Sequence, residues 1–238
     1  MKEEIDLRIR AFRSIDDREA CLKYVQGHEK VLEEYGVPKV TSVKAQWVDN
    51  PDVYPIVAES SDGIRIFGGA RIQIRNDFQP LPVEEALKDI EPRFQEYIQR
   101  ELDAGRKVAE LCGLWNSKAI AGRGVSWLLT KACVAKAGVT LAQRLKIDTL
   151  FVFCSPFTVQ MVRNVGFVVE TSLGMDGKFE YPKPDMLATL MVCNDLDTLK
   201  AADENDRQVV FSLREKPRQI RKEKGPKGDL CIEYQLDF

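Results

Sequence analysis

The spacing of apolar residues changes period repeatedly along the chain. Residues 5–12, "IDLRIRAF", alternate apolar and polar and predict a strand. From Ser14 to Gly36 the period lengthens to that of a helix, with Ser14 or Asp16 as its cap and Gly36 as its end. "VYPIVAES" and "GIRIFGGARIQIR" read as two strands, and "SSDG" between them signals a hairpin. Leu81 to Gly105 is strongly helical, broken or kinked at Pro92. "KVAELCGLWN" returns to a strand, and after a polar loop a helix is predicted from about Gly124 to Lys146. Its apolar face carries Val125, Leu128, Leu129, Ala132, Val139 and Ala142. "DTLFVFCS" is continuously apolar, as in a buried strand. "PFTVQMVRNVGF" is a short helix with Pro156 in its first turn and Gly166 at its end. "VVETSLG" and "DMLATLMVC" predict two more strands.

This order interleaves helices with strands and contains no repeat. It predicts an α/β fold, a mixed sheet with helices on both faces. After Asn194 the pattern weakens. "LREKPRQIRKEKGPKGD", with its prolines and glycines, reads as a linker or flexible loop, and "LCIEYQL" as a possible edge strand. We therefore divide the chain into residues 1–193 and a C-terminal extension, 194–238.

Composition narrows the function classes. At 238 residues, 44% hydrophobic and 30% charged, the chain has the content of a water-soluble domain with a full core. A net charge of −2 offers no general attraction for nucleic acid, and the basic run after Arg214 reads as a solvated loop. No apolar run reaches the length of a membrane span. "MKEEIDLRIR" has no apolar signal core, so the expected location is cytoplasmic. Six cysteines without a C-x-x-C pair predict buried reduced thiols. The single histidine, His28, leaves little material for a zinc site, so no metal is expected; its charged helical setting predicts an exposed side chain.

The candidate chemistry begins at "SKAIAGRG". A strand, this loop and a helix follow one another, and amides at a helix start lack intrahelical partners. Gly122 and Gly124 suit a cradle in which such amides wrap a pyrophosphate, with Arg123 and Lys118 adding charge. A plain turn would present the same glycines. Glu110 is a carboxylate inside an apolar strand, where desolvation raises the pKa toward that of a general base; a structural ion pair, with Arg71 among the candidates, is the other reading. Arg71, within a strand, either holds a substrate carboxylate or points to solvent. Gly113 in mid-strand suggests a bulge. Cys112 and Cys154 read as structural thiols, and Ser155 as the cap of the next helix. Trp47, Trp115 and Trp127 read as core or cleft wall.

Together these segments resemble the GNAT superfamily of acyl-CoA-dependent N-acyltransferases. Gly122-Arg123-Gly124 matches the glycine half of the family's Gln/Arg-x-x-Gly-x-Gly/Ala loop, while its Gln/Arg position falls on Ala119. "FVFCSPFTVQMVRNVGFVVE" resembles the next block, including Gly166-Phe167, but Val162 stands where a tyrosine acid is usual. "GGARIQI" and "VAELCGLWN" look like the branch of acyl-homoserine-lactone and N-acyl amino acid synthases, with Arg71 and Glu110 on its arginine and glutamate positions. The resemblance implies a mostly antiparallel sheet with splayed fourth and fifth strands. It implies transfer of an acyl group from acetyl-CoA or a longer acyl-CoA, or from acyl carrier protein, to a small-molecule amine. Glu110 would then be the base, and Ser155 would donate to the thiolate in place of the tyrosine. Arg71 would bind substrate. Leu111, Leu114, Asn116, Lys118, Ala121, Gly122, Arg123, Gly124 and Val125 would hold the donor. A non-catalytic module that binds an acyl thioester or a protein is the rival, favoured by Ala119 and Val162.

Overall fold

A computed structural model describes residues 5–37, 40–138 and 145–237. Its strands are β1 (Leu7–Ala11), β2 (Val53–Glu59), β3 (Ile66–Ile74), β4 (Val108–Asn116), β5 (Thr149–Cys154), β6 (Val168–Val169), β7 (Lys178–Glu180), β8 (Leu187–Cys193), β9 (Arg218–Glu223) and β10 (Leu230–Gln235). The helices are α1 (Arg18–Glu34), α2 (Pro82–Leu87), α3 (Arg93–Asp103), α4 (Val125–Ala137), α5 (Pro156–Asn164) and α6 (Glu204–Glu215).

All strands join one sheet in the order β6-β8-β5-β4-β3-β2-β1-β10-β9, with β7 also on β8. Pairing is antiparallel except for β1 with β10 and β4 with β5. β2 and β3 form the expected hairpin, closed where the Ser60 and Gly63 amides donate to Arg65 and Ser60 carbonyls. Helix α4 packs on β2, β3 and β4, and α1 packs on β3 and β4. They take opposite faces: Ile56 and Ala58 join the core under α4, while Val53 and Val57 join the one under α1.

The geometry that positions a site is the divergence of β4 and β5. Their register holds only from Val108↔Thr149 to Glu110↔Phe151. Beyond it β4 continues to Asn116 and β5 to Cys154, so the two strands splay. On the other edge of β4, Gly69 pairs with Trp115 and Arg71 with Cys112, two residues against three. The extra residue is a bulge at Gly113, whose φ is +64°.

Several expectations need correction. The helix predicted to Lys146 ends at Ala137 with Gly138 as its cap. Leu145–Ile147 are not helical, and 139–144, with Val139 and Ala142, lie outside the described residues. The break expected at Pro92 is present: the segment 81–105 is two helices, Pro82–Leu87 and Arg93–Asp103, with Pro92 at the N-cap of the second. α1 is capped by Asp17, which accepts from the Ala20 amide at 3.0 Å; Ser14–Asp16 form a 3-10 turn before it. Of "VVETSLG" only Val168–Val169 are extended. Of the basic run, residues 213–215 end α6, Arg218–Glu223 form strand β9 and only 224–229 are a turn; the final segment is an inner strand, with β10 between β1 and β9. β9 alternates half-buried and exposed side chains, and its charged outer face disguised it as a loop. Helix α6 was unread; Asp203 caps it, and it covers the outer side of α4, tied by Lys131–Asp206 at 2.7 Å.

Candidate active site

Two groups of residues flank the splay. The first lies on the face of β3 and β4 toward α1 and α2. Glu110 is 3% exposed and accepts the Val83 amide at 2.8 Å, at the first turn of α2. Desolvation pushes its carboxyl up to about 8, against the lowering effects of that amide and of Arg71. No ion pair to Glu110 forms among the described residues. The structural reading of Glu110 as half of a pair with Arg71 therefore does not describe it.

Arg71 is 1% exposed, so the solvent reading is also corrected. Its Nη1 donates to the Ser42 carbonyl at 2.8 Å, and its guanidinium lies 4.8 Å from the Trp47 ring centre. Its Nε is buried without a partner. The cover over it is a pair of 3-10 turns, Thr41–Val43 and Ala45–Asp49, fastened by Lys44–Glu85 at 2.5 Å and by Thr41 to the Pro82 carbonyl at 2.9 Å. A buried guanidinium with no carboxylate is costly unless something else completes it.

Further buried polar atoms without partners sit around it: His28 Nδ1, Trp47 Nε1, Gln73 Oε1 and Trp115 Nε1. His28 is buried on α1, against the expectation of exposure, and burial pushes its imidazole down to about 3. Tyr24 stands edge-on to His28, Trp47 and Trp115, and its hydroxyl donates to the Gly113 carbonyl, which anchors the bulge. Trp47 and Trp115 are core, as read.

The second group is the loop from Ser117 to Gly124. Lys118–Ile120 form a 3-10 turn; Gly122 and Gly124 have φ of +75° and +85°. Among the described residues nothing accepts from the amides of Gly122, Gly124, Val125 or Ser126. Asn116 donates to the Ser126 hydroxyl at 2.5 Å and so ties the end of β4 to the first turn of α4. Lys118 pairs with Glu34 at 3.3 Å and Arg123 with Asp6 at 3.4 Å. Ala121 gives its carbonyl to Lys227 at 2.9 Å, a residue the sequence reading passed over. Val125 and Leu111 turn their side chains into the core beneath α4, and Leu114 packs against it.

At the end of β5, Ser155 is exposed at the N-cap position of α5, but its hydroxyl makes no cap bond and lies 3.5 Å from that of Thr158. That corrects its reading as a side-chain cap. Cys154 is buried and its thiol pushed up to about 11; Cys112 is also raised by burial. Neither is a thiolate near neutral pH. Cys21, Cys112, Cys133, Cys154 and Cys193 are buried thiols, and Cys231 is half-buried. Val162, at the tyrosine position, is 1% exposed and belongs to the core under α4 and α5.

No family model and no curated protein matches the sequence. Solved structures do match in fold. FeeM, an N-acyl amino acid synthase from uncultured soil microbes, superposes with a TM-score of 0.58 at 15% identity, over 80% of this chain and 92% of its own. The CoA-dependent acyl-homoserine lactone synthase MesI gives 0.54 at 15%, over 86% and 95%. The CoA-dependent acyl-homoserine lactone synthase BjaI, with SAM and isopentyl-CoA, gives 0.50 at 14%, over 88% and 90%. The splayed β4 and β5, the bulge and the glycine loop before α4 thus sit in a chain whose fold is that of the GNAT acyltransferases.

Proposed function

We propose that the chain is an N-acyltransferase. It moves an acyl group from an acyl-coenzyme A thioester, or from the phosphopantetheine arm of acyl carrier protein, to the amine of a small molecule that also carries a carboxylate, such as an amino acid. The observation that carries the reading is a buried carboxyl and a buried guanidinium, Glu110 and Arg71. They face one side of neighbouring strands and make no ion pair with each other. An amino acid supplies the complement to both: its carboxylate satisfies the Arg71 guanidinium and its amine meets Glu110.

In this mechanism Glu110, ionised above about 8, takes the proton from the acceptor amine, directly or through water. The nitrogen attacks the thioester carbonyl; the N–C bond forms and the C–S bond breaks. The exposed Ser155 hydroxyl gives its proton to the departing thiolate and recovers one from water, and Glu110 returns the amine's proton to the hydroxide this leaves, so both groups end as they began. The backbone of β4 at Leu111, Leu114 and Asn116 pairs with the pantetheine arm in the splay. The free amides of Gly122, Gly124 and Val125 receive the pyrophosphate. FeeM, an N-acyl amino acid synthase, supports the acceptor class, and BjaI with isopentyl-CoA supports the donor.

The test is a thermal-shift series with coenzyme A and acyl-CoAs of rising chain length, followed by mass spectrometry of mixtures with the proteinogenic amino acids. Stabilisation by acyl-CoA and an N-acyl amino acid product are expected. No stabilisation by any acyl-CoA or by acylated carrier protein would refute the reading. The buried Val162 in place of a tyrosine favours one alternative, a module that binds the thioester without turnover; binding with no product would select it.

A further inference from the structure

The C-terminal hairpin does not end in solvent. Its turn, residues 224–229, lies on the glycine loop. A Cβ added to Gly122 would stand 2.9 Å from Lys227 Cε and 3.0 Å from its Nζ. One added to Gly124 would meet Pro226 Cδ at 3.3 Å. In the other direction, a Cβ on Gly225 would come within 2.6 Å of the Arg123 carbonyl. Each glycine therefore serves the mutual approach of loop and turn as well as its own backbone conformation.

The turn is held there. Asp6 accepts from the Cys231 amide at 2.8 Å with one oxygen and pairs with Arg123 with the other. β10 is bonded to β1 on one side and to β9 on the other. The Lys227 ammonium is thus carried on a held turn to the Ala121 carbonyl and to Gly122, whose amide has no partner among the described residues.

Charge and reach together separate this lysine from its neighbours. The loop's own cations are matched by acids, Lys118 by Glu34 and Arg123 by Asp6. Lys222, at the end of β9, is matched by Asp229 at 3.5 Å. Within the turn neither Lys224 nor Lys227 has a carboxylate partner among the described residues, and of the two it is Lys227 that reaches the glycine loop. It donates one of its three N–H groups to the Ala121 carbonyl and keeps two. The cation the loop needs for an anion comes from about a hundred residues away in sequence.

Building on the acyl-thioester reading above, we propose that Lys227 is a donor-binding residue. Delivered by the C-terminal hairpin, it closes the phosphate cradle over the pyrophosphate of the thioester donor. Residues after Cys193 then belong to the donor site, and the hairpin distinguishes phosphate-bearing donors from a bare pantetheine thioester.

Isothermal titration of the full chain with coenzyme A and with pantetheine tests this in wild type, Lys227→Met, Lys227→Arg and Lys222→Met. All these positions are exposed, so folding is not at stake. The expected result is a loss of about tenfold in coenzyme A affinity for Lys227→Met, the scale of one charge-assisted contact. Lys227→Arg should retain most of the affinity, Lys222→Met all of it, and pantetheine should bind all four chains alike. Coenzyme A affinity unchanged in Lys227→Met would overturn the proposal while leaving the acyltransferase reading intact. Tighter binding in that variant would overturn it too, because the turn would then be a plug. Failure of wild type to bind coenzyme A would overturn the proposal together with the acyl-coenzyme A reading, leaving only the carrier-protein donor.

Discussion

Glu110 holds its proton under conditions where an exposed glutamate has lost it. Its carboxyl rises from 4.5 to about 8 because burial outweighs the Val83 amide and the Arg71 charge. Two pH effects of opposite use follow. As a base it works only when ionised, so kcat/KM should climb with pH through about 8. Glu110→Gln should lower turnover on the order of a hundredfold or more and flatten that limb, with coenzyme A affinity nearly unchanged. A limb that survives in the variant would belong to the acceptor amine and would remove Glu110 from the mechanism. For stability the sign reverses. Between 4.5 and about 8 the folded chain binds a proton that the unfolded chain has released, so stability falls as pH rises across this window. Denaturant titrations at pH 5 and pH 8.5 should show Glu110→Gln gaining on wild type at the higher pH. Glu110 was legible because a charge inside an apolar strand is an anomaly in any sequence. The burial of Arg71 was not, since its cover is two 3-10 turns with no hydrophobic period. His28 shows a different failure. Cys21, Tyr24, Val25 and His28 share one helical face, all buried, so spacing had the answer that residue type obscured.

At the scale of elements, the bulge in β4 links backbone to site. Gly113 occupies a conformation that other residues adopt at a cost, and an added Cβ would meet Arg71 Nη1 and Tyr24 Oη, each at 2.6 Å. Gly113→Ala should destabilise the chain by about 3 kcal/mol from backbone strain and crowding together. It should also displace Arg71, so that KM for a carboxylate-bearing acceptor rises more than kcat falls. A variant within about 0.5 kcal/mol of wild type by urea denaturation would show that the strand can relax without the glycine. This bulge, the hairpin β2–β3 and the loop before α4 were all readable, because glycine in a strand or before a helix reports a local backbone demand. α6 and β9 were not: their signals are set by what they cover. α4 is buried on nearly every side because α6 lies over it, and no amphipathic stripe in α4 announces that second neighbour.

For the whole molecule the question is whether residues after Cys193 are an appendage or part of one folding unit. β10 lies between β1 and β9 and sends Leu230, Ile232 and Tyr234 into the core beneath α4, with Leu236 following; all are at most 2% exposed. Lys136, buried in α4, donates to the Leu236 carbonyl at 2.6 Å, so the chain's end also satisfies a cation from the middle of the fold. At roughly 2 kcal/mol for each of these side chains, removing the hairpin costs on the order of 8 kcal/mol, comparable to the whole stability of a typical domain. It would also leave β1 as a bare edge with unpaired backbone groups. A chain stopped after Lys216 should therefore show no cooperative unfolding transition by circular dichroism, whereas the full chain unfolds in one. Residues 1–193 as a self-sufficient domain make the contrary prediction, a truncated chain with a near wild-type midpoint. Lys227→Met separates the two contributions of the hairpin, since it removes the cation over the glycine loop while leaving β10 and its core side chains in place.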